Sequence, residues 1–66
     1  MAGYEKEVKR RLRQAGFERI RQPRGSHEIW GGEIDGGYVE VTVPASLKKR
    51  HTANAILKEA GGLGKV

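Results

Sequence analysis

The sequence predicts one α+β domain in which two helices lie on one face of a three-stranded antiparallel sheet, in the order α-β-β-β-α. Apolar residues recur at helical spacing near both ends of the chain, and they alternate with polar residues in its middle. Glycine or proline separates the segments. One layer of helices on the sheet would bury every apolar face at once. With 66 residues, we expect a single domain over 1–66 with a small core.

The first helix is predicted over residues 4–14, where apolar residues stand three or four positions apart. They are Tyr4, Val8, Leu12 and Ala15. Glutamates lie early in this segment and lysines or arginines lie late, which suits the helix dipole. Gly16 should end the helix, because glycine adopts the left-handed conformation at low cost.

The first two strands are predicted on either side of a tight turn at residues 23–25. The first covers 17–22 and should place Arg19 and Arg21 on one face. The second covers 26–30, and its alternation is taken to direct His27 and Ile29 toward the helices. We therefore expect the imidazole of His27 at the rim of the sheet, partly shielded. It should point away from the open face, which is the side of the sheet that no helix covers.

The segment 31–37 contains four glycines, so we expect a flexible hairpin loop rather than a strand. The third strand follows over 38–43, with Val39, Val41 and Val43 on its apolar face. Pro44 should end it.

The connection after the third strand is basic, with Lys48, Lys49 and Arg50 in succession. These cations either lie in a solvated loop or bind phosphates. The second helix is expected from residue 53, with Thr52 as its N-cap and a glycine pair at 61–62 after its end.

The net charge of +5 favours a polyanionic partner. Its distribution is uneven, with +5 over residues 1–27, −4 over 28–44 and +4 over 45–66. The chain has no cysteine, no apolar run near the ~18 residues that span a bilayer, and no signal-peptide pattern at its start. We therefore expect a soluble, cytoplasmic protein without disulfides or membrane contact.

The residue types argue against metal or nucleotide chemistry and are compatible with metal-free cleavage of RNA. There is no Walker glycine loop, no His-Glu-x-x-His pair and no cysteine cluster, so no metal or small-molecule cofactor is expected. RNA cleavage needs a base that takes the 2′-hydroxyl proton, and an imidazole ordinarily has a pKa of ~6.5. His27 is the candidate base, and His51 is more typical of a surface residue. The candidate phosphate-binding residues are Arg24, Gly25, Ser26, Lys48, Lys49 and Arg50.

Four sequence blocks, taken together and in this order, resemble the HicA family of toxins. They are Gly16-Phe17, Arg21-Gln22-x-x-Gly25-Ser26-His27, Val41-Thr42-Val43-Pro44 and Thr52-x-x-x-Ile56-Leu57-Lys58-x-Ala60-Gly61. The resemblance covers nearly the whole chain, and the second block is its most specific part. It implies a fold similar to a double-stranded-RNA-binding domain and an mRNA interferase held inactive by a HicB-type antitoxin. It also implies that His27 is the catalytic histidine, with Gly25 and Ser26 shaping its turn.

Two other readings of the residues stay open. In the first, the chain is a non-catalytic RNA-binding module, since α/β domains of this kind also grip duplex RNA through phosphates and 2′-hydroxyls. In the second, one sheet face docks a protein, because exposed aromatics beside arginines suit an interface. The residues proposed for that face are Arg19, Arg21, Trp30, Tyr38 and Thr42. An antitoxin could bind there, so this reading is compatible with a toxin.

Overall fold

Two helices and a three-stranded sheet make up the computed structural model, which describes residues 3–25 and 27–66, with only the backbone described at Arg24. The elements are α1 (Glu5–Gln14), β1 (Glu18–Arg24), β2 (His27–Ile34), β3 (Gly37–Pro44) and α2 (Arg50–Glu59). The sheet is antiparallel in the order β1-β2-β3. The predicted fold class is confirmed. In these two ranges, neither helix has the length and apolar character needed to cross a membrane.

The core lies between the two helices and one face of the sheet. Helix α1 contributes Val8 and Leu12 of its predicted stripe, whereas Ala15 is exposed beyond the end of the helix. Helix α2 contributes Ala53, Ile56 and Leu57, and β2 and β3 contribute the side chains opposite. The segment before α1 is joined to the β3–α2 connection, where the backbone N–H of Tyr4 donates to the carbonyl of Leu47 at 2.7 Å. The buried apolar residues are Val8, Leu12, Phe17, Trp30, Val41, Val43, Leu47, Ala53, Ile56, Leu57 and Ala60.

Strand β2 continues through the glycines that the sequence suggested were a loop, so that prediction is wrong. Gly31 pairs with Glu40, and Gly32 pairs with Val39. The missing side chain is needed at Gly32, where a Cβ would lie 2.6 Å from the buried ring of Phe17. The hairpin turn shrinks to residues 35–36, both with positive φ (50° and 82°), as in the tight turns that match strand twist.

The two faces of β2 are the reverse of the prediction. Glu28 pairs with Val43 and Trp30 pairs with Val41, so both lie on the side of the buried valines. His27 and Ile29 therefore belong to the open face. The bulkier Trp30, only 2% exposed, decides the orientation, because burying an indole removes more apolar surface from water than burying Ile29.

Strand β1 is longer than predicted and irregular. It runs through Pro23 and Arg24, where a turn was expected, because an edge strand tolerates a proline. The register shifts between Arg19 and Arg21 and again before Arg24. The first shift breaks the alternation, so Arg19 and Arg21 do not share a face as predicted.

Helix α2 begins at Arg50, three residues before the predicted start. Its N-cap residue is Lys49, which makes no side-chain cap, so the predicted N-cap role of Thr52 is wrong. The predicted end is confirmed, since Gly61 and its neighbour have φ of +100° and +73°. Leu63 folds back toward the helix, and its N–H donates to the carbonyl of Leu57 at 3.0 Å.

Candidate active site

His27 is the first residue of the central strand, where all three strands meet at one end of the sheet. It pairs with Arg24 in β1 and with Pro44 in β3. The predicted position at the rim is correct, but the predicted shielding is wrong, because His27 is exposed and lies on the open face. A strand that is paired on both sides fixes the backbone, so the imidazole is presented from a rigid element.

The β1–β2 turn before His27 is braced by a side chain. Gln22 Nε2 donates a hydrogen bond to the carbonyl oxygen of Gly25 at 2.8 Å. Gly25 is exposed, and a Cβ there would meet no atom within 4 Å. Ser26 and the side chain of Arg24, both predicted to contact RNA, lie outside the described residues. Sequence reasoning missed the role of Gln22, although it belongs to the block that carries the family resemblance.

The basic connection begins beside His27, because β3 ends at Pro44, its pairing partner. Lys48 and Lys49 follow the buried Leu47 and are exposed, and Arg50 is exposed at the start of α2. These cations are therefore available to a polyanion. The other histidine, His51, is exposed in the first turn of α2, where it lines a groove with side chains of that helix and of the C-terminal segment.

Glu28, the residue after His27, is held on the helix side of the sheet. Its side chain is 17% exposed, and its Oε1 accepts the indole N–H of Trp30 at 3.0 Å. The same oxygen lies 3.2 Å from Lys9 Nζ, and Oε2 lies 4.0 Å from Arg19 Nη1. Burial raises the pKa of Glu28, but the hydrogen bonds from Trp30 and Lys9 and the two positive charges outweigh it and lower that pKa.

This cluster was not found from the sequence. Lys9 and Glu28 are nineteen positions apart and lie on different elements, so only the packing of α1 on the sheet brings them together. The cluster links the residue next to the candidate catalytic histidine to the first helix.

A second cluster of polar side chains lies on the open face. Tyr38 is 59% exposed, and its hydroxyl donates to Glu40 Oε2 at 2.9 Å. Arg21 Nη2 lies 3.1 Å from Glu40 Oε1. The Tyr38 and Arg21 hydrogen bonds lower the pKa of Glu40, and the same carboxylate raises the pKa of Tyr38.

The structure brings together only some of the residues predicted for the docking face. Arg21 and Tyr38 are brought together on the open face, where Thr42 also lies exposed. The placement of Trp30 on that face is wrong, because its ring is in the core. Arg19 is directed toward Glu28 rather than Glu40, since the bulge in β1 changes its side of the sheet.

The fold and the site define a small basic α+β domain with an exposed histidine at one end of its central strand. Residues 6–61 match the family model described as "HicA toxin of bacterial toxin-antitoxin". The chain belongs to this family of toxins, as its four sequence blocks predicted. Neither the curated proteins nor the solved structures compared with the chain include a match.

Proposed function

We propose that the chain is an endoribonuclease toxin that cleaves mRNA with His27 and is inhibited by a HicB-type antitoxin. Membership of the toxin family supports the cellular role. The observation that carries the catalytic assignment is the exposure of His27 on a rigid strand end, with cations on the connection that begins beside it.

The proposed reaction uses His27 as its base, cations on the phosphate and solvent water as the proton source for the leaving group. His27 accepts the proton of a ribose 2′-hydroxyl while that oxygen attacks the adjacent phosphorus. The bond from phosphorus to the 5′-oxygen breaks, leaving a 2′,3′-cyclic phosphate, and the leaving 5′-oxygen takes up a proton from solvent water. Lys48, Lys49 and Arg50, with Arg24, neutralise the charge that develops on the phosphate oxygens. General base help of this kind is worth ~10²–10⁴ in rate.

Labelled RNA incubated with the pure protein tests this function. We expect shortened RNA, with equal rates with and without a chelator, and no cleavage where the 2′-hydroxyl is replaced by hydrogen. RNA that is retarded in the gel but intact would instead support the non-catalytic RNA-binding module. Cleavage of the 2′-deoxy substrate would contradict the proposed chemistry.

For the antitoxin, we propose that the open face around Tyr38 and Arg21 is the docking surface. Its support is the exposed tyrosine ring beside a charged pair, with the exposed Ile20 near the same face. Binding there would also place the antitoxin on the side of the sheet where His27 lies. Arg19 belongs to the other side and is left out of this surface.

Titration with a purified HicB-type antitoxin tests the surface. Tyr38→Ala should weaken binding at least about tenfold, as expected for a central aromatic anchor. Lys58→Ala on α2 is the control and should bind as the unsubstituted protein does. Equal affinities for all three proteins would place the antitoxin elsewhere.

A further inference from the structure

A groove of about 330 Å³ runs between α1 and β1, on the side of the sheet away from Tyr38. Its floor is formed by Glu28 and Trp30, and arginines from both elements stand at its edges. The groove is lined by Lys9, Arg13, Glu18, Arg19, Glu28 and Trp30.

Two guanidinium groups in this groove are available to an anion. The Arg13 guanidinium lies 5.2 Å from the centroid of the Trp30 ring and is exposed, and it forms no ion pair within residues 3–25 and 27–66. Arg19 is 56% exposed, and its Nη1 makes two long contacts, 4.0 Å to Glu28 Oε2 and 3.4 Å to Gln22 Oε1. Lys9, at 3.2 Å, lies closer to Glu28 than Arg19 does, although it also pairs with Glu5 at 2.7 Å, and Glu18 adds a second carboxylate to the lining of the groove.

The distribution of charge decides from which side a polyanion approaches. Helix α1 carries five bases and two acids, whereas the segment 28–44, which forms most of β2 and β3, carries four acids and no base. Glu28 of that segment lines the groove and is paired with Lys9, so it is the excess of bases on α1 that attracts a phosphate chain to the edge formed by α1 and β1.

Strand β1 connects this edge to the candidate catalytic histidine. Arg19 lies near its start and Arg24 at its end, where Arg24 pairs with His27. Five residues of strand span about 17 Å, which is a path of a few nucleotides. Because His27 lies on the open face and the groove on the helix side, a strand of RNA with its reactive phosphate at His27 would pass around the edge strand β1 to reach the groove.

We propose that this groove is a second phosphate-binding site, in which Arg13 and Arg19 hold the RNA backbone a few nucleotides from the bond cleaved at His27. The planar guanidinium matches two phosphate oxygens at once. Stacking on Trp30 restrains Arg13, so less side-chain entropy is lost when it binds. This inference rests on the proposed function, because it assigns a further contact to the same RNA.

Binding of single-stranded RNA to catalytically silent protein tests the site. With His27→Ala as the background, Arg13→Gln and Arg19→Gln together should weaken RNA binding about tenfold near physiological salt. The dependence of log K on log salt should become shallower by about 1.4, because each lost phosphate contact on a single strand accounts for about 0.7.

The matched control removes the same charge from α2 and the C-terminal segment, with Lys58→Gln and Lys65→Gln in the same background. It should change the salt slope by less than half as much. Arg13→Lys with Arg19→Lys keeps the charge and should retain the slope while losing part of the affinity, which excludes misfolding as the cause.

Equal losses of RNA affinity in the groove variant and in the control would contradict the proposed site, since they would show that binding depends on net charge alone. An unchanged affinity in the groove variant would overturn it as well. In both cases the proposed function stands if the unsubstituted protein still cleaves RNA in a manner that depends on His27. Protein that neither binds nor cleaves RNA would overturn both proposals.

Discussion

Lys9 Nζ in helix α1 lies 3.2 Å from Glu28 Oε1 in strand β2, and the same oxygen accepts the indole N–H of Trp30 at 3.0 Å. One partly buried carboxylate thus joins the first helix, the core tryptophan and the strand that presents His27. The stability of the fold and the position of the candidate catalytic residue are therefore connected through Glu28.

Removing this carboxylate should destabilise the protein. In Glu28→Ala, the Trp30 N–H loses its acceptor and Lys9 keeps only Glu5, and lost hydrogen bonds to charged groups typically cost about 1.5–3 kcal/mol. Urea denaturation should show a loss of that order. The control is Glu33→Ala at an exposed position of the same strand, which should change stability by less than about 0.5 kcal/mol. Equal losses of stability in the two variants would contradict a stabilising role for Glu28.

Acid should weaken the fold through carboxylates whose pKa is lowered. The Arg10 and Arg11 hydrogen bonds lower the pKa of Glu7, the Tyr38 and Arg21 hydrogen bonds lower that of Glu40, and that of Glu28 is lowered as well. A carboxyl with a lowered pKa in the folded state adds stability above its unfolded value of ~4.3, and this stability is lost as the pH falls through the folded pKa.

The urea midpoint should therefore be level near neutral pH and fall below about pH 4.3. The slope of this fall should be shallower in Glu28→Gln, which has one fewer group to protonate. A midpoint that does not fall below that pH, or an unchanged slope in the variant, would contradict the assignment.

The glycine at position 32 should be needed for packing. A Cβ there would lie 2.6 Å from the Phe17 ring, which is buried and has little room to move, so Gly32→Ala should cost about 1–3 kcal/mol. Gly25→Ala is the matched control, because a Cβ at that position meets nothing within 4 Å. Thermal denaturation should show a lowered midpoint for the first variant and little change for the second. Equal thermal midpoints would mean that the Phe17 ring moves aside without a loss of stability.

Local patterns were sufficient to predict the fold class but not the length of β2. The stripe with Val8 and Leu12 and the alternating valines of β3 are signals within single elements, and both correspond to buried faces. Gly31 and Gly32 were assigned to a loop because glycine is unfavourable in a strand. A tertiary contact reverses that preference, since Phe17 occupies the space that a side chain at Gly32 would fill, and no local pattern reports this contact.

The position of His27 after a turn could be predicted from the sequence, whereas the side chains around it could not. The block that ends in His27 places the histidine after a turn, and the structure has it at the start of β2. The predicted face is wrong because it buries Ile29, although the larger Trp30 competes for the same core. The Lys9–Glu28 pair and the groove with Arg13 and Arg19 depend on the packing of α1, which sequence spacing does not report.

The rate of RNA cleavage by His27→Ala, beside His51→Ala and the unsubstituted protein, tests the central claim most directly. The thermal midpoint of each protein is measured beside the rate, so that a loss of activity is separated from a loss of folding. Loss of the general base predicts a rate lower by ~10²–10⁴ in His27→Ala and an ordinary rate in His51→Ala. Cleavage by folded His27→Ala at the unsubstituted rate would contradict the account.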